Sequence, residues 1–385
     1  ENHQVIRRRL EAAGHQFSSD TDSEVLAHLF VEAFDCDMEP AAAAQKVLAE
    51  IDGAYAFAVM TIDYPDMLIV ARNASPLALG IGDQACYVGS DAIALSHLTR
   101  KVIYLKDNDY ALVRAHGVEV YQGEMVPVNR EAVIVAASPG LVDKGGYRHF
   151  MEKEIHEQPD AIARSLAAMT DEHGKLTAQM SDNMLRDIDG IVMLAAGTSH
   201  YATQIARYWI ESLARVPVTC EVASEYHYRQ PVTSTYNTSI AVSQSGESLD
   251  TLMAMRHAAK CKMTTIGLVN VPNSTIAREA DTVLPTRAGP EIGVASTKAF
   301  TAQLTVLLCL AVSIARAKGQ IDDNRATAIH TEIQALPGLV GKALHLFNEI
   351  RPIAHQLSNA KSALYLGRGM LYPLALEGAL KLKEL

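Results

Sequence analysis

A chain of 385 residues is long for a single core and, at about 150 residues per domain, points to two or three. Its composition, 49% hydrophobic and 20% charged, excludes a mainly disordered or collagen-like chain. With 34 Lys and Arg against 44 Asp and Glu, a net charge of −10, a general hold on nucleic acid phosphates is disfavoured, while a local anion pocket stays open. Glu1 to Glu11 reads as an amphipathic helix stopped by Gly14. A second helix runs through Val25, Leu26, Leu29 and Phe30, with Asp22 at or near its N-cap. From Ala54 the apolar period falls to two, predicting short strands at 54–62, 67–71, 85–88, 102–105, 110–114 and 118–121, with a turn at 80–83. Helices followed by antiparallel strands indicate an α+β layer structure, closed by a linker at 136–140. Residues 147–158 (YRHFMEKEIHEQ) then open a helical stretch, and Pro159 suits the first turn of the next helix.

Beyond about residue 185 the alternation becomes strand then helix: 190–196, 201–213, 216–222, 239–243, 249–259 and 264–269. This is the grammar of a doubly wound α/β unit with a parallel sheet. The most apolar stretch, 299–315, contains Gln303 and Thr305 and falls short of the ~20 residues that span a bilayer, so it reads as a buried helix. Ala363 to Leu366 reads as a further strand, leading through Gly367-Arg368-Gly369 into a last helix. The likeness of LAAGTSHYATQIARYW (194–209) to YLGRGMLYPLALEGAL (365–380) suggests a duplicated α/β unit. The five cysteines have no paired spacing, so no disulfide framework or zinc knuckle is suggested and a reducing compartment fits. Histidines number 14 without H-E-x-x-H, and no metal site is expected.

The chemistry-bearing residues cluster at strand-to-helix turns. In Ala195-Ala196-Gly197-Thr198-Ser199, free amides of a first helical turn and two hydroxyls suit an anion; helix capping by Thr198 or Ser199 is the bland alternative. In Ser243-Gln244-Ser245-Gly246-Glu247-Ser248, hydroxyls crowd one turn, and Gly246 allows close backbone approach. Neither the dinucleotide fingerprint nor the Walker pattern is present there, so a monophosphate suits the turn better than a nucleotide. Ligands of open parallel sheets sit beyond the strands' carboxyl ends, so the two turns could share one phosphate. In EIGVAST (291–297), Ser296 could reach a ligand hydroxyl or cap the next helix. Glu377, Lys381 and Glu384, at i, i+4 and i+7, share a helix face, as a solvated salt-bridge stripe or as a proton-transfer pair.

Taken in order, YRHFMEKEIHEQP, AAGTS, SQSGES, NVPNS, EIGVASTKAFTAQ, YLGRG and YPLALEGALKLKE resemble the isomerising glutamine–fructose-6-phosphate aminotransferase family. Upstream, ENH, SSDTDSEV, IDGAYAFAV and ARNASPLALGIG are similar to the later part of that family's glutaminase domain. The resemblance implies the remainder of an N-terminal-nucleophile glutaminase α+β domain (1–136), then a linker with connecting helices (137–185). A first SIS sugar-phosphate domain (186–352) and the start of a second (353–385) would follow, both doubly wound. It implies conversion of fructose 6-phosphate and glutamine into glucosamine 6-phosphate and glutamate, without a cofactor, by a homodimer or larger homo-oligomer; the composition and motif readings above add the expectation of a cytosolic setting with no metal, nucleic acid or membrane partner.

Carried over by motif, Thr198, Ser199, Ser243, Gln244, Ser245 and Ser248 would bind the sugar phosphate and Ser296 would line the sugar site. Glu384 would move a proton between C1 and C2, Lys381 would assist, and Asp22 would hold the ammonium group of glutamine. Ser248 stands where many relatives have threonine, and Ala196 where several have cysteine. The family's cysteine nucleophile and Asn-Gly oxyanion segment would precede Glu1; its ring-opening histidine and Schiff-base lysine would follow Leu385. The chain is therefore expected to be an inactive piece of an active parent. A phosphosugar-sensing SIS regulator, or an SIS isomerase or deglycase without ammonia transfer, are the rival readings, and residues 1 to about 130 weigh against both.

Overall fold

A computed structural model describes residues 1–95, 98–135, 144–172 and 175–385, so the expected linker at 136–140 lies outside the described residues. The chain divides into two compact units, Glu1–Val142 and Asp143–Leu385.

The first unit begins with α1 (His3–Ala12), α2 (Glu24–Phe34) and α3 (Pro40–Glu50), the last opened by a proline whose missing N–H costs nothing in a first turn. Strands β1 (Tyr55–Val59), β2 (Met67–Asn73), β3 (Ala78–Ile81) and β4 (Cys86–Gly89) follow, then the short α4 (Ala92–Leu95). Next come β5 (Lys101–Tyr104), β6 (Asp109–Arg114), β7 (Gly117–Gln122), β8 (Val126–Pro127) and β9 (Ala132–Ile134). They form two antiparallel sheets, ordered β1-β2-β6-β7-β8 and β4-β3-β5-β9. The two-residue period sorts the faces of β2 and β6. Met67, Ile69, Ala71, Tyr110 and Leu112 pack under Leu10, Leu29, Phe30 and Val47 of the helices. Val70, Ala111 and Val113 turn the other way, onto Leu79 and Leu105. The turn expected at 80–83 falls later, because Gly80 and Ile81 are still paired in β3 with Tyr87 and Cys86. Asp22 is one residue short of the N-cap of α2, which is Ser23.

The second unit opens with α5 (Phe150–His156), α6 (Gln158–Ala168) and α7 (Asp182–Arg186). Strand and helix then alternate: β10 (Ile191–Ala195), α8 (Gly197–Trp209) with a π-helical continuation (Ile210–Ala214), β11 (Val218–Val222), α9 (Ala223–Tyr226), β12 (Thr238–Ser243), α10 (Leu249–Lys260), β13 (Thr264–Val269), α11 (Thr275–Glu279) and β14 (Thr282–Pro285). Helices α12 (Lys298–Ala317), α13 (Asp323–Gln334), α14 (Leu336–Leu344), α15 (Phe347–Leu357) and α16 (Leu371–Glu384) complete it. The sheet is parallel throughout, in the order β11-β10-β12-β13-β14. Both faces are covered: Ile191 and Met193 of β10 join the core beneath α6, α8 and α12, while Val192 and Leu194 face Ala254 and Ala258 of α10. This is the doubly wound α/β arrangement expected of the sequence. The helices at 150–186 belong to this unit, with Ile162, Leu166 and Leu185 in its core.

The helix α12 is 20 residues long, longer than the expected 299–315, and is apolar enough to cross a membrane by length and composition. It is the core helix of this unit, packed among α6, α7, α8 and α13. The strand expected at Ala363–Leu366 does not form; these residues are exposed coil. An apolar run becomes a strand only where a neighbour takes its backbone hydrogen bonds, and no described strand lies beside it.

Candidate functional site

In this strand order, neighbours β10 and β12 run on to opposite sides of the sheet, so the loops beyond their carboxyl ends open a crevice. Both serine-bearing turns sit there. After β10, the N-cap of α8 is Ala196, in extended conformation and making no side-chain cap bond, so Thr198 and Ser199 are not capping groups. Each is tied to a distant helix instead. Thr198 Oγ1 donates to Glu377 Oε1 of α16 at 3.1 Å, and Ser199 Oγ accepts from Gln303 Nε2 of α12 at 2.9 Å.

After β12, Ser243 lies beneath the loop, where its Oγ accepts from Gly246 N at 3.0 Å and sits 3.0 Å from Ser248 Oγ. Ser245 Oγ accepts from Glu247 N at 3.1 Å, and Glu247 Oε1 takes Thr275 N at 2.8 Å in the first turn of α11. Gly246 is required twice over. Its φ is +64°, and a Cβ would stand 2.0 Å from Ser274 Oγ.

The 291–297 loop is organised by carboxylates rather than by a hydroxyl cap. Thr297 holds the N-cap position of α12 without a side-chain cap bond. Glu291 does the capping, accepting from Thr297 N at 2.8 Å, Ala299 N at 3.1 Å and Ser296 Oγ at 2.9 Å. Buried Lys298 reaches Glu157 Oε2 at 2.5 Å.

These loops and α16 enclose one polar cavity of about 260 Å³. Its lining includes Ala196, Thr198, Ser199, Gln244, Ser245, Ser248, Glu291, Gly293, Val294, Ser296, Lys381 and Glu384. Every sugar-site residue expected from the sequence therefore reaches this wall except Ser243, which braces the loop from below. Lys381 Nζ donates to Glu384 Oε2 at 2.5 Å and lies 3.5 Å from Glu377 Oε1, so the stripe on α16 is both ion-paired and part of the cavity. Burial pushes the Glu377 carboxyl up, opposed by Lys381 and by the Thr198 hydroxyl. An anion here would meet hydroxyls and free first-turn amides of α8, while the one lining ammonium is held by carboxylates. Glu291, Glu377, Gly293 and Gln303 were not singled out as site residues from the sequence, or not for these roles; the glutamate cap lies six residues before the N-cap position of the helix it serves, outside the usual N-cap signature.

In the first unit, Asp22 lines a separate cavity of about 300 Å³ with Asn2, Ser23, Asp52, Tyr55 and Ser75. Asn2 fixes part of its rim, its side chain donating to Glu50 O at 2.8 Å and accepting from Asp52 N at 3.0 Å.

Comparison with known proteins follows the same division. Residues 1–97 match a glutamine amidotransferase domain and residues 184–313 an SIS domain. Named glutamine–fructose-6-phosphate aminotransferases (isomerizing) from Zymomonas mobilis and Bradyrhizobium diazoefficiens are 47% and 43% identical over all of this chain and 64% of their own. A solved C-terminal domain of glucosamine-fructose-6-phosphate aminotransferase from Francisella tularensis is 40% identical, with TM-score 0.61, over 63% of this chain and 69% of that one. The chain belongs to the isomerising glutamine–fructose-6-phosphate aminotransferase family. It spans 64% of the length of those curated aminotransferases. The aminotransferase motifs quoted from its sequence supply the whole of the cavity wall, from AAGTS to LEGALKLKE.

Proposed function

We propose that the intact protein makes glucosamine 6-phosphate and glutamate from fructose 6-phosphate and glutamine, with glutamine held in the first unit and the ketose phosphate in the second. The observation that carries this reading is the convergence, at the switch point of a parallel sheet, of hydroxyl-rich loops with a carboxylate and lysine in one cavity. The phosphoryl group sits against the first turn of α8 and the 244–248 loop. Thr198 offers its main-chain N–H there, since its hydroxyl proton goes to Glu377. Ser199 and Ser245 accept from protein donors and keep their own protons for the ligand, joined by Ser248 and Gln244. The sugar extends past Ser296 towards α16. There Glu384 takes a proton from one of C1 and C2 and returns it to the other, with Lys381 holding the carboxylate in place. Asp22 pairs with the ammonium group of glutamine in the cavity of the first unit. A cytosolic setting and association with further copies of the chain are part of the same reading. The glutamine amidotransferase match favours this enzyme over a sugar-sensing regulator or a simple isomerase.

The direct test is formation of glucosamine 6-phosphate from both substrates by the full-length gene product. Within it, Ser245→Ala should weaken fructose 6-phosphate binding by about 1–3 kcal/mol, roughly 5- to 150-fold, through loss of a charge-assisted hydrogen bond. Unchanged affinity by calorimetric titration contradicts the assignment.

A further inference from the structure

The YRHFMEKEIHEQP segment supplies none of the cavity lining, yet it places a buried carboxylate directly behind it. Glu154, on α5, is 2% exposed. Its Oε1 accepts from Ile292 N at 2.6 Å and Gly293 N at 3.1 Å, and its Oε2 lies 3.2 Å from Gly293 N. Gly293 has no room for a side chain on that side, because a Cβ would stand 2.6 Å from Glu154 Oε2. Glu154 thus fixes the backbone at 292–293. Glu291 fixes it at 296–299, and between these ties lie Gly293, Val294 and Ser296 of the cavity wall.

The geometry points to Glu154 as a positioning residue that gives the cavity its affinity for the hexose part of the ligand, apart from the phosphoryl part. This rests on the phosphosugar reading above. Glu154 makes no hydrogen bond to the 196–199 or 244–248 loops, which hold the anion in that reading. The loop it does hold carries Ser296, assigned to the sugar. Glutamine in its place can keep the oxygen that takes Ile292 N and Gly293 N, but it sets an amide NH₂ where Oε2 stands 3.2 Å from Gly293 N, donor against donor in a buried site, which pushes the loop away.

The test compares two ligands on the full-length protein by calorimetric titration, inorganic phosphate and fructose 6-phosphate, alongside thermal unfolding. Glu154→Gln should raise the fructose 6-phosphate dissociation constant about tenfold or more while phosphate stays within about twofold of wild type. Gly293→Ala, which reaches the same contact from the loop side, should give the same split and serves if Glu154→Gln does not fold. Equal weakening of both ligands, or no weakening of either, overturns the positioning role while leaving the phosphosugar reading intact. A wild-type protein that binds neither ligand defeats that reading itself.

Discussion

Thr198 and Ser199 are neighbours on one helical turn, yet their hydroxyl protons have different fates. Thr198 gives its proton to the Glu377 carboxylate, whereas Ser199 receives one from Gln303 and retains its own. Removing Thr198's hydroxyl therefore acts on stability. Thr198→Val takes away a hydrogen-bond donor from a buried carboxylate whose Oε2 already has no partner, and should cost about 1–3 kcal/mol. Its affinity for inorganic phosphate should stay near wild type, because the main-chain N–H remains. Ser199→Ala should weaken phosphate by about fivefold or more beyond any loss of stability. Thermal unfolding and calorimetric titration on both variants decide this; equal loss of phosphate affinity would show that the two hydroxyls do the same work.

At the scale of elements, α2 is joined to the loop before it by one carboxylate. Glu24 accepts from Ser18 N at 2.6 Å, Ser19 Oγ at 2.6 Å, Ser19 N at 2.8 Å and Ser18 Oγ at 2.9 Å. The Ser18 backbone N–H, with the serine hydroxyls and Ser19 N–H, pulls its pKa from the ordinary 4.5 to about 2. A depressed carboxyl pKa gives stability that is full above the unfolded value and lost as pH falls through the folded one. Wild type should therefore lead Glu24→Gln in melting temperature above about pH 4.5, with the gap closing by about pH 2; a gap independent of pH would contradict the bond set. Elements were legible where one local pattern decides them. Strand β13 lies where its pattern predicts, at Thr264–Val269, because a strand covered on both faces reads as a nearly continuous apolar run, here Ile266 to Val269 after two β-branched threonines. Strand β3 was hidden by glycines that read as a turn, although Gly80 serves there to admit Thr99, whose Cγ2 would stand 2.6 Å from an added Cβ. Helix α3 had its signal in Pro40 and the alanines after it, weaker than an amphipathic stripe. The serine loops of the site were equally legible, since each lies whole within a few residues. The ties of Thr198 to Glu377, of Ser199 to Gln303 and of the 292–293 backbone to Glu154 were not, because each joins residues more than 100 positions apart.

For the whole molecule, a net charge of −10 means that its overall field does not draw a phosphorylated sugar inward. On the phosphosugar reading proposed above, affinity comes from fixed local donors, and fixed donors exist only while the second unit is folded. The amides of α8 are set by β10, the serine loop by β12, and the 291–297 wall by α5 and α12. A ligand with that requirement binds the folded form alone and stabilises it by mass action. At about a hundred times its dissociation constant it should add about 2.7 kcal/mol, slowing exchange through global opening of this unit about a hundredfold. The slowest amides of residues 191–193 and 238–241, deep in the sheet and back from the strand ends that carry the cavity loops, should show that full slowing with fructose 6-phosphate. In Ser245→Ala the same ligand concentration should give a smaller slowing, in proportion to the lost affinity. Exchange in these strands that ignores the ligand would mean that the cavity does not need its scaffold to bind, contrary to the ties that set the 197–199 turn, the serine loop and the 291–297 wall.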